Sequence, residues 1–127
     1  MKIKEIAFAA YAVTDVKRAR AFYEGTLGLK PNSVMEQGND FAFIEYWLGE
    51  KDEHCLVIGA GAPQFKPGKM GATVALEVDD FKAWSEKLKG AGVKFLMEPY
   101  DGSSCSMTLI EDPDGNQIMI HQRKPKV

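Results

Sequence analysis

One strand, one helix and three further strands follow one another twice in this chain, and that duplication restricts its fold more than any other feature. In the first copy, Ile6 to Val13 alternates as a strand and Thr14 or Asp15 caps a helix. Val16, Ala19, Phe22 and Tyr23 then share a helical face before Gly25 and Gly28 end it. Val34 to Gln37, Phe41 to Leu48 and His54 to Ile58 read as strands, separated by Gly38-Asn39-Asp40 and by the charged turn Glu50 to Glu53. In the second copy Thr73 to Val78 is the strand and Asp79 or Asp80 the cap. Phe81, Trp84 and Leu88 form the helical face there, and Gly90 and Gly92 stop the helix. Val93 to Glu98, Ser106 to Glu111 and Gln117 to Gln122 complete the copy. The last two are joined by Asp112-Pro113-Asp114-Gly115-Asn116, in which Pro presets φ and Gly accepts a positive φ.

Aligning Val13 with Val78 offsets the copies by 65 residues, and the Gly- and Pro-rich stretch Gly59 to Gly71 separates them. A sheet with one face covered by a single helix cannot bury its apolar surface well in a module of about 60 residues, so the two copies are expected to pair in one α+β domain. The boundaries fall at 1–58 for module one, 59–72 for the linker and 73–127 for module two.

Sixteen Lys and Arg against eighteen Asp and Glu leave a net charge of −2, too balanced for a surface that binds nucleic-acid phosphates. No apolar run is long enough to span a bilayer, and Met1-Lys2-Ile3-Lys4-Glu5 leads into no signal-peptide core. A cytoplasmic protein without nucleic-acid or membrane partners is the expectation. Cys55 and Cys105 stand fifty positions apart with no CxxC pairing, which reads as two reduced thiols. There is no Ser-His-Asp order, P-loop or dinucleotide fingerprint, and Gly59-Ala60-Gly61 precedes no helix.

Two motifs carry a family resemblance. Val13-Thr14-Asp15 followed by Phe22-Tyr23-Glu24-Gly25-Thr26-Leu27-Gly28-Leu29 matches a V-x-D strand end and an FYxxxLGL helix end. Glu111-Asp112-Pro113-Asp114-Gly115-Asn116 and the strand Gln117-Ile118-Met119-Ile120 match a final hairpin. In that order, across nearly the whole chain, they resemble the vicinal oxygen chelate superfamily of glyoxalase I, extradiol dioxygenases, and fosfomycin- and bleomycin-resistance proteins. The resemblance implies paired βαβββ modules that form a curled, cup-shaped mixed sheet with the helices outside, a site in the cup, and a homodimer.

Metal-dependent relatives place a His on the first strand of each module and usually a Glu on each last strand, holding a divalent ion that acts as a Lewis acid. Carried over by motif, those positions fall on Phe8, Thr73 and Met119, with Leu56 in the best register of the fourth strand and His54 two residues earlier on the same face. Phenyl, thioether and alkyl side chains are poor ligands for a hard ion, so no metal and no other cofactor is expected.

Alternation turns Phe8, Ala10 and Ala12 inward, together with His54, Leu56 and Ile58, with Thr73, Ala75 and Glu77, and with Gln117, Met119 and His121. This mostly apolar lining suits either a small-molecule pocket or a filled core. His54, His121 and Glu77 are candidates for acid-base chemistry, each with a plainer reading as a solvated strand-end residue. Glu45 interrupts an apolar strand and its facing is not fixed by the pattern. Phe41, Phe43, Tyr46 and Trp47 serve either as core or as a stacking surface for a planar ligand.

The leading expectation is a small apolar or aromatic ligand bound without a metal. The alternative is a glyoxalase-like lyase or isomerase of altered mechanism using His and Glu as acid and base. A scaffold for self-association is the third reading.

Overall fold

Each copy of the pattern folds into its own four-stranded mixed sheet with one helical segment, as seen in a computed structural model that describes residues 2, 7–37, 40–62, 65–68 and 73–125. The chain divides into two units, Met1–Pro67 and Gly68–Val127. The division falls within the stretch expected to be a linker.

In the first unit β1 (Ala9–Ala12) leads into α1 (Val16–Arg20), which runs on as a π-helical stretch (Ala21–Thr26). β2 (Ser33–Gln37), β3 (Phe41–Leu48) and β4 (His54–Ala60) follow, giving the order β1-β4-β3-β2. β1 is parallel to β4 and the other pairs are antiparallel. Asp15 caps α1 by accepting from the Arg18 N–H at 3.0 Å. The helix then widens, and Leu27 N–H donates to Phe22 C=O five residues back. Phe22 and Tyr23, neighbours in sequence, are both buried in this stretch. Tyr23 stacks on Tyr46 of β3 with ring centroids 6.2 Å apart, which fixes the helical segment to one face of the sheet. Gly28, with φ at +74°, makes the exit turn that a side chain would strain.

In the second unit β5 (Val74–Glu77) and α2 (Phe81–Gly90) are followed by β6 (Tyr100–Asp101), β7 (Cys105–Glu111) and β8 (Gln117–Arg123). The order is β5-β8-β7-β6, with β5 parallel to β8. Asp80, the second of the two expected caps, accepts from Ala83 N–H at 3.1 Å. Leu88, Ile110, Ile118 and Ile120 are fully buried and form the core of this unit. The β7–β8 turn closes as expected. One Asp112 carboxylate oxygen accepts from the Asp114 and Asn116 N–H groups at 2.9 and 2.8 Å, and the other from the Asn116 amide at 2.8 Å.

Three strand expectations change. The first strand, expected from Ile6 to Val13, runs Ala9–Ala12 among the described residues. The fourth strand extends past Ile58 to Ala60, two residues into the expected linker, because Val13 N–H bonds Gly59 C=O at 2.9 Å and Gly59 pairs with Phe43. The expected strand Val93 to Glu98 is reduced to one bridge, Phe95 to Ile110. Thr108 Oγ1 takes the Met97 carbonyl at 3.1 Å, and Pro99 has no N–H to continue the ladder. The second strand of that copy is instead the short β6. Ile6, Gly38-Asn39 of the first hairpin turn, and positions 63–64 and 69–72 of the expected linker lie outside the described residues.

Candidate functional site

Strand alternation gives each sheet one face under its helix and one open face. In the first unit Tyr11, Ala42, Ile44 and Tyr46 lie on the helix side, buried. The register pairs Leu56 with Tyr46 and Ile58 with Ile44, so Leu56 and Ile58 also lie on that side. This corrects the expected facing of β4: His54, Leu56 and Ile58 do not join Phe8 and Ala10. The open face of β4 carries Cys55, Val57 and Gly59 instead, since Ala10 pairs with Val57 and Ala12 with Gly59. A one-residue slip reverses every side chain of a strand, and only the pairing partners reveal it. His54 itself is exposed at the start of β4, opposite Leu48.

The open face of the first sheet is aromatic. Phe8 is 48% exposed and meets Phe43 edge to face, with centroids 5.7 Å apart. Trp47 at 38% and Met35 at 47% exposure extend the surface along β3 and β2, Met35 lying opposite Phe43. Phe65, within the expected linker, lays its ring over Gly59, where an added Cβ would come within 2.5 Å of the ring. Of the four aromatics in β3, Phe41, Phe43 and Trp47 alternate onto this face and Tyr46 goes to the core.

Glu45 lies in the same row, flanked along β3 by Phe43 and Trp47, opposite Val57 on β4 and Ser33 on β2. Its carboxylate accepts from the Cys55 thiol at 3.6 Å. Burial first, and then the Glu45 charge and hydrogen bond, push the Cys55 thiol up to about 11, so it stays protonated at neutral pH.

The open face of the second sheet brings together Thr73, Ala75 and Glu77 of the β5 segment with Gln117, Met119 and His121 of β8, as alternation predicts. It reads across as three rows. Thr73 Oγ1 accepts from Gln117 Nε2 at 2.7 Å, Ala75 lies opposite Met119, and Glu77 Oε1 lies 2.6 Å from His121 Nδ1. Met107 on β7 flanks His121 on the other side, and Tyr100 on β6 lies opposite Met107. Glu77 Oε2 also accepts from the Arg123 N–H at 2.6 Å. Desolvation raises the Glu77 carboxyl, but the bonds from Arg123 N–H and His121 outweigh it and hold the group below the usual carboxylate range. A carboxylate bound to Nδ1 fixes the imidazole and leaves Nε2 to face a ligand, an arrangement able to donate or accept a proton.

The positions that would hold a divalent ion do not supply its ligands. Phe8 offers a ring, Met119 a thioether, Thr73 a hydroxyl already bonded to Gln117, and Leu56 an alkyl group on the helix side. Among the described residues no three His, Cys, Asp or Glu side chains come together.

A βαβββ unit made twice, each with a parallel first pair and an open sheet face, defines a glyoxalase-type α+β protein. The sequence model of the Glyoxalase/Bleomycin resistance protein/Dioxygenase superfamily matches residues 5–120, and the chain belongs to that superfamily. Lactoylglutathione lyase of Haemophilus influenzae is 29% identical over 126 residues, covering 94% of this chain and 93% of that protein. Lactoylglutathione lyase of Salmonella typhimurium is 28% identical over 120 residues, covering 88% and 87%. Among solved structures, TnmS3, an antibiotic binding protein from Streptomyces sp. CB03234, superposes with a TM-score of 0.78 at 25% identity, covering 98% of this chain and 99% of that one. No helix among the described residues is long and apolar enough to cross a membrane.

Proposed function

We propose that the protein binds a small planar, apolar or aromatic molecule on its open sheet surface without a metal ion. The observation that carries this reading is the uncovered aromatic face of the first unit, where Phe8, Met35 and Trp47 stay exposed around Phe43. Exposed rings of this size, grouped on one face, mark a binding surface more often than scattered apolar residues do. Stacking a ligand there gains about 25 cal/mol per Å² of apolar area removed from water. The similarity to an antibiotic binding protein agrees with binding as the activity. The residues proposed to meet a ligand on the first sheet are Phe8 and Ala10, to which Phe43, Glu45 and Trp47 are added, and those proposed on the second sheet, as a set of its own, are Thr73, Glu77, Met119 and His121. Leu56 and His54 are withdrawn because β4 turns both away from the open face.

Titration with a planar three-ring aromatic, followed by Trp47 fluorescence in a Trp84→Phe background, tests the reading. Saturable quenching that weakens in Phe43→Ala is the expected result. Absence of saturable binding to any planar aromatic, or a stoichiometric divalent metal retained after dialysis against a chelator, overturns it.

A second reading, a lyase or isomerase of altered mechanism, is favoured by the Glu77–His121 contact, which prepares an imidazole for proton transfer. The similarity to lactoylglutathione lyases points the same way. Turnover of hemithioacetals that survives chelation and is lost in His121→Ala supports it, and inactivity under those conditions rejects it. The proposal includes a homodimer, since β2 is an exposed edge strand along its whole length. A monomer in light scattering at micromolar concentration removes that part.

A further inference from the structure

We propose that the open face of the first sheet selects a cationic aromatic molecule, a planar ring system bearing a protonated amine or similar positive group, and that Glu45 reads the charge. The inference rests on the binding reading above and adds the chemical class of ligand.

The strand neighbours of Glu45 on that face, among the described residues, are Phe43 and Trp47 on its own strand, Cys55 and Val57 on β4 and Ser33 on β2. None of them is Lys, Arg or His, and the Cys55 thiol is the one side-chain donor to the Glu45 carboxylate among the described residues. A ligand lying across Phe43 and Trp47 covers the carboxylate between them. If that ligand is neutral and apolar, it strips water from a charge and returns nothing, which opposes binding. If it carries a positive group, the carboxylate gains a partner as its water leaves.

The aromatic rings act in the same direction, because their faces are electron-rich and attract cations within about 6 Å of the ring centre. Carboxylate and rings therefore repel an anion, tolerate a neutral ring poorly and favour a cation. Cys55 strengthens the arrangement. Its thiol, held protonated, donates to one oxygen of the Glu45 carboxylate and so orients that side chain within the row.

The test compares three probes of one ring shape, aminoacridinium cation, neutral acridine and acridine carboxylate. Their affinities are measured by calorimetry and by Trp47 quenching in the Trp84→Phe background, for the otherwise native chain, Glu45→Gln and Glu45→Asp. The expected result is a preference of about tenfold or more for the cation over neutral acridine, with the carboxylate weakest. Glu45→Gln brings the cation and neutral affinities within about twofold, while Glu45→Asp keeps the order. Equal affinities in the native chain, or a cation preference that persists in Glu45→Gln, overturn the charge assignment and leave the binding reading standing. Failure of all three probes to bind overturns both.

Discussion

Replacing Tyr46 by Phe removes one oxygen from the middle of the first unit and tests how the helical segment is held to its sheet. Tyr46 is fully buried, stacks on Tyr23, and donates its hydroxyl to Glu24 Oε2 at 2.9 Å. Glu24 in turn accepts from Arg20 Nε at 2.6 Å and Nη2 at 3.2 Å. Hydrogen bonds to charged groups contribute about 1.5–3 kcal/mol. Glu24 keeps its Arg20 bonds in the variant and its side chain is 24% exposed, so the lower part of that range applies. The phenyl ring preserves the stacking. The expected loss is about 1–2 kcal/mol, read as a lower midpoint in urea with an unchanged slope. A double-mutant cycle with Glu24→Gln should give a coupling near 1 kcal/mol.

The pH dependence sharpens the test. The Arg20 hydrogen bond, opposed by desolvation and helped by Tyr46, holds the Glu24 carboxyl below its ordinary value in the folded state. A depressed carboxyl contributes stability above its unfolded value and loses it as the pH falls through the folded one. The Tyr46→Phe deficit should therefore be full near neutrality and shrink in acid. A cost below about 0.3 kcal/mol near neutral pH refutes the assignment of this bond as a charge-assisted tie.

Three further outcomes are expected. Asp112→Ala strips the β7–β8 turn of an acceptor for three N–H bonds in a residue only 4% exposed, and should cost about 2–4 kcal/mol in chemical denaturation. Cys55, with its thiol pushed up to about 11, should resist a disulfide reagent at mildly alkaline pH while the half-buried Cys105 reacts first, and modification of Cys55 at a free-thiol rate would contradict the buried Glu45 contact. In His121→Ala the Glu77 carboxyl, followed by carbon NMR, should titrate at higher pH than in the native chain, because one of the bonds that stabilise its charge is gone.

The duplicated strand and helix pattern, each helix cap to within two adjacent residues, the closing turn at Asp112 and the open-face row of Thr73, Glu77, Met119 and His121 were legible in the sequence. Each depends on local chemistry: side-chain capping of a free N–H, a period of two along a strand, a Pro-Asp-Gly turn. The same alternation supplied the correct period for β4 but the wrong phase, because every residue from Cys55 to Ala60 is buried and the strand shows no polar face to set it. Pairing with Tyr46 and Ala10 decided that phase, and with it removed Leu56 from the open face and turned Val57 and Cys55 toward it.

Glu45 is the clearest instance of the division. Its strand told that a carboxylate interrupts an apolar run, and nothing local told which way it points. Phe65 likewise had no signal beyond being an aromatic in a Gly- and Pro-rich stretch, since the space it fills is the missing side chain of Gly59 on another strand. By itself the sequence determined the family, the two modules and the chemical types available to a site. The tertiary structure decided which of those side chains share a face, because facing depends on hydrogen-bond register between strands far apart in the chain, and no local preference encodes it.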